Sequence, residues 1–320
     1  MYFPYLRGRQ FELLAIRELI IKGLIGSNVF PIIEPVHLNS TLLKTLEICK
    51  AHGYHLGLVK NPTVGSFVNE VKNSSDPATK ILRKRYEDFI NQAKETIVPV
   101  YIISQNGINI PEMESDHEII TICESSDALT FFTQISEKQK QLIQYNLIPD
   151  NARFKRNTIG YKNVLLADYF NKQRKNADYA DESVVDEPYT DEYKFYKVDG
   201  YEGFGDYSIV GAKYNESGFA PYAVAIHIIY PTDTELRIHH FVSDSNDDIT
   251  DVAGKFGEAV GKLVNWKQSS KRDGLNTFGM SQFEHFYNTQ TFPGLGVIKK
   301  LSIMHHLELM GKLGDKEGKI

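Results

Sequence analysis

Seven side chains in this chain combine useful chemistry with a suggestive place: Arg7, Glu34, Lys60, Glu124, Asp168, Asp206 and His227. The first six sit at the edge of a short hydrophobic run, where a charged group leaving an apolar segment needs solvent or a partner. Two cations and four carboxylates gathered at one spot could clamp a phosphate or a sugar, move protons as general acid and base, or hold a divalent cation through oxygen ligands. On that scheme Glu34, Lys60, Glu124 and Asp168 are the catalytic candidates, with Arg7, Asp206 and His227 binding substrate. Taken singly, charges at strand ends also serve as solvated groups or structural ion pairs. His227, inside the apolar run Ala225-Ile226-His227-Ile228-Ile229, suits a hydrogen-bonded core histidine as well as a base.

Simpler chemistries find little support. His239 and His240 are adjacent on a strand-like run and face opposite ways, while His305 and His306 on a helical run diverge by about 100°. Neither HxxxH nor HExxH occurs, which disfavours a zinc hydrolase. Cys49 and Cys123 read as small packed hydrophobes rather than nucleophiles. GxSxG, GxxxxGK[ST] and a strand followed by GxGxxG are all missing. Lys80, Arg83, Lys84 and Arg85 wrap round a helix instead of forming a phosphate-binding stripe, so nucleic acid is not the expected partner.

The elements that must position these residues alternate. Strand-like runs cover residues 2–6, 29–36, 55–60, 97–104, 118–124, 141–148, 163–167 and 206–211, separated in about half the cases by amphipathic helices. Ser40 can cap one such helix, and Pro77 suits the first turn of another. Strand, helix, strand units imply parallel pairing with right-handed crossovers, and eight strands suggest a closed ring. The expected fold is therefore α/β, an irregular (β/α)8 TIM-like barrel, with an open doubly wound sheet as the alternative. Polar side chains at the C-terminal strand ends of such a barrel meet although they are far apart in sequence. The connections 105–117 and 149–162 look too short or too polar for regular helices. Asp206 is expected to begin its strand, which puts its membership of the set in question.

Beyond the strands, residues 171–197 carry a dense run of acids interrupted by Tyr179, Tyr189, Tyr193 and Tyr196. This reads as a solvated, mobile insertion, with a lid or docking segment as the alternative. Residues 223–230 and 235–242 form a hairpin pattern around Pro231-Thr232-Asp233-Thr234. A helical tail follows, broken at Phe292-Pro293-Gly294. The expected organisation is a barrel-like domain over 1–250, including the acidic insertion, and a helical extension over 251–320 packed on the same domain.

Composition bounds the rest. The 320 residues carry 36 Lys plus Arg against 41 Asp plus Glu, a formal charge of −5, with 42% hydrophobic residues. That balance argues against a nucleic-acid binder acting through its overall field. The two cysteines fit a reducing, cytoplasmic setting. The opening residues lack a signal-peptide core, and no stretch is apolar for long enough to span a bilayer.

The runs Gly203-Phe204-Gly205-Asp206-Tyr207-Ser208-Ile209-Val210-Gly211, Ala223-Val224-Ala225-Ile226-His227 and His240-Phe241-Val242-Ser243-Asp244-Ser245-Asn246 carry a family likeness. With Pro4-Tyr5-Leu6-Arg7-Gly8-Arg9, Ile33-Glu34-Pro35 and Lys60-Asn61-Pro62, most of the chain resembles bacterial proteins of a beta family, after a phage T4 beta protein. The resemblance implies a co-encoded protein partner and a role in conflict with phage, and it assigns no catalytic residue. Two expectations follow. One is a cytosolic defence component acting with that partner. The other is a barrel hydrolase or phosphodiesterase acting on a phosphorylated or nucleotide-like small molecule, with a divalent cation as an optional cofactor.

Overall fold

The computed structural model describes residues 1–103, 117–135, 137–215, 221–269 and 275–317. In chain order the elements begin β1 (Tyr5–Leu6), α1 (Gln10–Ile21), β2 (Ile32–Ile33), α2 (Ser40–Ala51), β3 (Leu56–Val59), α3 (Phe67–Asn73), α4 (Pro77–Gln92) and β4 (Ile97–Ile102). They continue with β5 (Ile119–Ile122), α5 (Ser126–Gln134), α6 (Glu137–Lys140), β6 (Ile143–Ile148), α7 (Ala152–Asn157), β7 (Asn163–Ala167), β8 (Asp186–Thr190), α8 (Glu192–Phe195) and β9 (Gly203–Asp206). Last come β10 (Ala225–Pro231), β11 (Leu236–Val242), α9 (Val252–Ser269), α10 (Phe278–Thr289) and α11 (Leu295–Glu317). The connection 105–117, apart from its last residue, lies outside the described residues, whereas 149–162 holds the short α7.

The chain forms two compact units. The first comprises Met1–Leu13, Val29–Ala167 and Glu192–Tyr207; the second comprises Leu14–Asn28, Asp168–Asp191 and the chain from Ser208 onward.

In the first unit, eight strands run parallel in the order β1-β2-β3-β4-β5-β6-β7-β9. Tyr2 makes parallel bridges to both Val29 and Phe204. The Phe3 amide donates to the Phe204 carbonyl at 2.8 Å, and the Phe204 amide to the Met1 carbonyl at 3.1 Å. The sheet thus nearly closes on itself, and helices surround it, which is the irregular TIM-like barrel that the alternating pattern predicts. Strands β3 and β5 are buried at every residue, which is why they read as almost wholly apolar runs; the one polar side chain, Thr121, donates to Asn146 at 2.8 Å.

Side-chain alternation defines the barrel interior. The Phe3 ring meets Phe30 at 5.5 Å and Tyr145 at 5.1 Å, marking these three as inward. Tyr5 and Glu34 share their parity on neighbouring strands. A Cβ at Gly205 would stand 2.3 Å from the Phe3 carbonyl oxygen, so only glycine lets the first and last strands come this close. That glycine-rich run also explains a correction: the last strand ends at Asp206 instead of beginning there, and residues 208–210 form a 3-10 turn.

The second unit holds the antiparallel sheet β10-β11-β8, most of α1 and the helices α9, α10 and α11, with α11 packed against α10 and β10. The expected hairpin and the break between α10 and α11 are both present. The acidic stretch keeps Asp178, Asp181, Glu182 and Asp191 exposed, as its charge density suggests, but it has regular structure and buried tyrosines. Its residues 176–180 form a 3-10 turn, β8 pairs with β11, and Tyr179, Tyr189, Tyr193 and Tyr196 are all buried. The reason lies across the sheet. Asp186 takes hydrogen bonds from Tyr230, from Arg237 Nε at 2.8 Å and from His239 Nδ1 at 2.8 Å. Although burial alone would raise it, these contacts hold the Asp186 carboxyl far below the usual range.

Candidate active site at the mouth of the barrel

Arg7 follows β1, Glu34 follows β2, Glu124 lies two residues past β5, and Tyr207 directly follows β9, so all four stand at the C-terminal end of the barrel. Glu34 is fully buried, 0% exposed, and accepts four hydrogen bonds. They come from the Tyr5 hydroxyl at 2.7 Å, from Arg7 Nη1, and from the Thr63 amide and hydroxyl at 2.7 and 3.0 Å. Four donors fill the lone-pair positions of a carboxylate, which makes Glu34 an anchor.

Arg7 lies beside two rings, 5.0 Å from the Tyr5 centroid and 5.5 Å from that of Tyr207, and the rings themselves are 5.1 Å apart. Burial opposes its charge, but Tyr5, Glu34 and Tyr207 outweigh burial and raise the guanidinium pKa. Burial, reinforced by Glu34, pushes the Tyr5 phenol well above its ordinary value. The cluster is thus an Arg7–Glu34 ion pair packed against the rings of Tyr5 and Tyr207. At the open side, the Tyr207 hydroxyl donates to Glu124 Oε1 at 2.6 Å, and Glu124 is exposed.

The remaining candidates make other contacts, although Lys60 and Asp168 also directly follow barrel strands, β3 and β7. Asp206 is buried and accepts from the Tyr2 hydroxyl at 2.8 Å, both having the outward parity of Phe204. Lys60, one past β3, has the parity of Leu58 and places Nζ 5.7 Å from the ring of Tyr86 on α4; burial lowers its pKa. Asp168 and His227 belong to the second unit. There Asp168 accepts from the amides of Phe170 at 3.1 Å and Ala212 at 2.7 Å, shaping a loop. His227 Nδ1 lies 2.7 Å from His240 Nδ1, and burial, with His240 beside it, drives its pKa well down. Across this contact one ring donates and the other accepts, and His240 turns its Nε2 to Glu187 Oε1 at 3.4 Å.

Residues that escape a reading of the sequence tie the β2–α2 and β3–α3 loops together at the same barrel end. The amides of Ser66 and Phe67 both donate to the Val36 carbonyl, at 2.8 and 3.0 Å. Gly65 has φ +74°, and a Cβ there would stand 2.2 Å from that carbonyl oxygen. Glu70 Oε2 accepts from the Leu38 amide, and its Oε1 accepts from the Ser66 hydroxyl. His37 Nδ1 completes the group, 2.8 Å from Ser66 Oγ and 3.1 Å from Glu70 Oε1. Burial would raise the Glu70 carboxyl, yet the hydrogen bonds from Ser66, Leu38 and His37 bring it below the ordinary value.

Among the described residues no group of three or more His, Cys, Asp or Glu side chains is arranged to hold a metal ion, and no helix is long and apolar enough to cross a membrane. Both cysteines are buried, which pushes their thiols up to about 12. No protein-family model, curated protein or solved structure matches the chain. Fold and site together define a parallel α/β barrel with a polar cluster at its C-terminal mouth.

Proposed function

We propose that the barrel is a hydrolase acting on a phosphorylated small molecule, with its active centre at the C-terminal mouth. The observation that carries the reading is the convergence there of Arg7, Glu34, Tyr207 and Glu124 from separate strand ends. Barrel enzymes of this class place their chemistry on that face. Arg7 supplies a permanent cation with a planar fork suited to a phosphate. Glu34 and the two tyrosines fix its orientation, so little ordering is needed when the anion arrives. Glu124, exposed and held on one oxygen by Tyr207, is the general base that takes a proton from the attacking water. The reading does not use Lys60.

The likeness to the beta family supports a setting for this chemistry: a cytosolic component of a phage-defence system that acts with a co-encoded partner. Copurification from the native operon tests that setting, and a lone monomer whose loss leaves phage challenge unchanged counts against it. The chemistry itself is tested by assaying aryl and alkyl phosphate esters with the intact chain. Glu124→Gln should lower turnover about 10²–10⁴-fold, the range of a general base, at an unchanged melting temperature. Turnover that survives Glu124→Gln overturns the reading.

A further inference from the structure

We infer that His37 is the general acid of this site, the residue that protonates the leaving oxygen; the assignment rests on the hydrolase reading above. The protons around one ring nitrogen fix its tautomer. Glu70 Oε1 is a carboxylate oxygen and can only accept. The Ser66 hydroxyl has one hydrogen, and it is donated to that same Oε1, so toward His37 Ser66 Oγ also acts as an acceptor. With His37 Nδ1 2.8 Å from Ser66 Oγ and 3.1 Å from Glu70 Oε1, both neighbours accept, and Nδ1 must carry a hydrogen. Nε2 is then the position that gains and loses a proton.

Three further features suit Nε2 for transfer. The His37 side chain is 48% exposed, so it is not walled off from a ligand. Among the described residues no hydrogen bond is made to Nε2. The ring sits three residues past Glu34, at the barrel end that carries Arg7, on a loop held by the Val36 carbonyl and the Leu38 amide. A carboxylate behind Nδ1 fixes the ring plane and tautomer, as an orienting acid does for a catalytic histidine.

In the step itself, water loses a proton to Glu124 as its oxygen bonds to phosphorus. The bond from phosphorus to the leaving oxygen breaks, and that oxygen's electron pair takes the Nε2 proton of His37. The ring is left neutral with Nδ1–H still on Ser66 and Glu70, and exchange of one proton from Glu124 to solvent and one from solvent to Nε2 restores both groups.

A purely structural histidine would staple the two loops and nothing more, so the test reads leaving-group dependence. The intact chain and its His37→Gln and Glu124→Gln variants are assayed with p-nitrophenyl phosphate, whose leaving group needs no proton, and with phenyl phosphate, whose leaving group does. His37→Gln should slow phenyl phosphate about 10²-fold or more and p-nitrophenyl phosphate less than about 10-fold. Equal losses on both, or none, while Glu124→Gln still lowers turnover about 10²-fold or more, overturn the role of His37 and leave the hydrolase reading standing. No turnover of either ester by the unmodified chain overturns both. Independently of activity, nitrogen NMR of the labelled protein, assigned by the signal lost in His37→Gln, should show the Nδ1–H tautomer at high pH. The Nε2–H tautomer would contradict the assignment.

Discussion

The Tyr5 hydroxyl donates a 2.7 Å hydrogen bond to Glu34, joining the end of the first barrel strand to the end of the second. Around that bond the barrel mouth is built: one buried carboxylate collects a phenol, a guanidinium and both donors of Thr63. Removing the carboxylate leaves Arg7 charged and 12% exposed without its counter-ion. Glu34→Ala should therefore cost about 3–5 kcal/mol, and Tyr5→Phe about 1–2 kcal/mol, as read by urea unfolding. Equal, small effects from both would show that the cluster is solvated.

Barrel closure rests on the absence of a side chain. Gly205→Ala places a methyl group 2.3 Å from the Phe3 carbonyl, where only a backbone shift can relieve the clash. A loss on the order of 2–4 kcal/mol is expected, with fast amide exchange at Phe3 and Phe204, whose amides close the seam. Gly257→Ala, with nothing within 4 Å of its Cβ, is the control and should be neutral or slightly stabilising.

Acid sensitivity should come from histidines in the second unit. Burial lowers His240 and His305 to about 4 and His306 to about 3, while the unfolded value is about 6.5. Between those limits the unfolded chain binds more protons, so stability is full above about 6.5 and falls as pH drops toward the folded values. His305 donates from Nε2 to the Ile229 carbonyl at 2.6 Å and accepts from Thr277 at Nδ1, contacts made by the neutral ring. Each such group contributes on the order of 2 kcal/mol less at pH 5 than at pH 7. Thermal unfolding at the two pH values measures the loss, and His306→Gln should flatten it.

The acidic segment gives a fourth expectation. Arg237 holds Asp186 and Glu235 together on the three-stranded sheet. Arg237→Ala should release β8 and make residues 171–185 the first site of limited proteolysis, with little change in the strands of the barrel. Cleavage starting elsewhere would show that backbone pairing with β11 is sufficient.

The barrel was legible because strands buried on both faces are mostly apolar, and runs such as residues 56–59 and 119–122 stand out. The last strand was misplaced because Gly203 and Gly205 carry no β signal; they are glycine to make room for Phe3, a neighbour some 200 residues away. Arg7, Glu34 and Glu124 were visible as charges ending hydrophobic runs. His37 was not, because its partners Ser66 and Glu70 lie 29 and 33 residues away and form no local motif. The acidic stretch misled for a related reason, since its compensating Arg237 and His239 sit on another strand.

The central claim is that the barrel mouth receives a phosphoryl group beside Arg7. Titration of orthovanadate into the intact chain, followed by NMR of labelled arginine and tyrosine side chains, tests it most directly. The account predicts saturable shifts at Arg7, Tyr5 and Tyr207 that vanish in Arg7→Met. Saturable shifts confined to other residues, or none at these three, would contradict it.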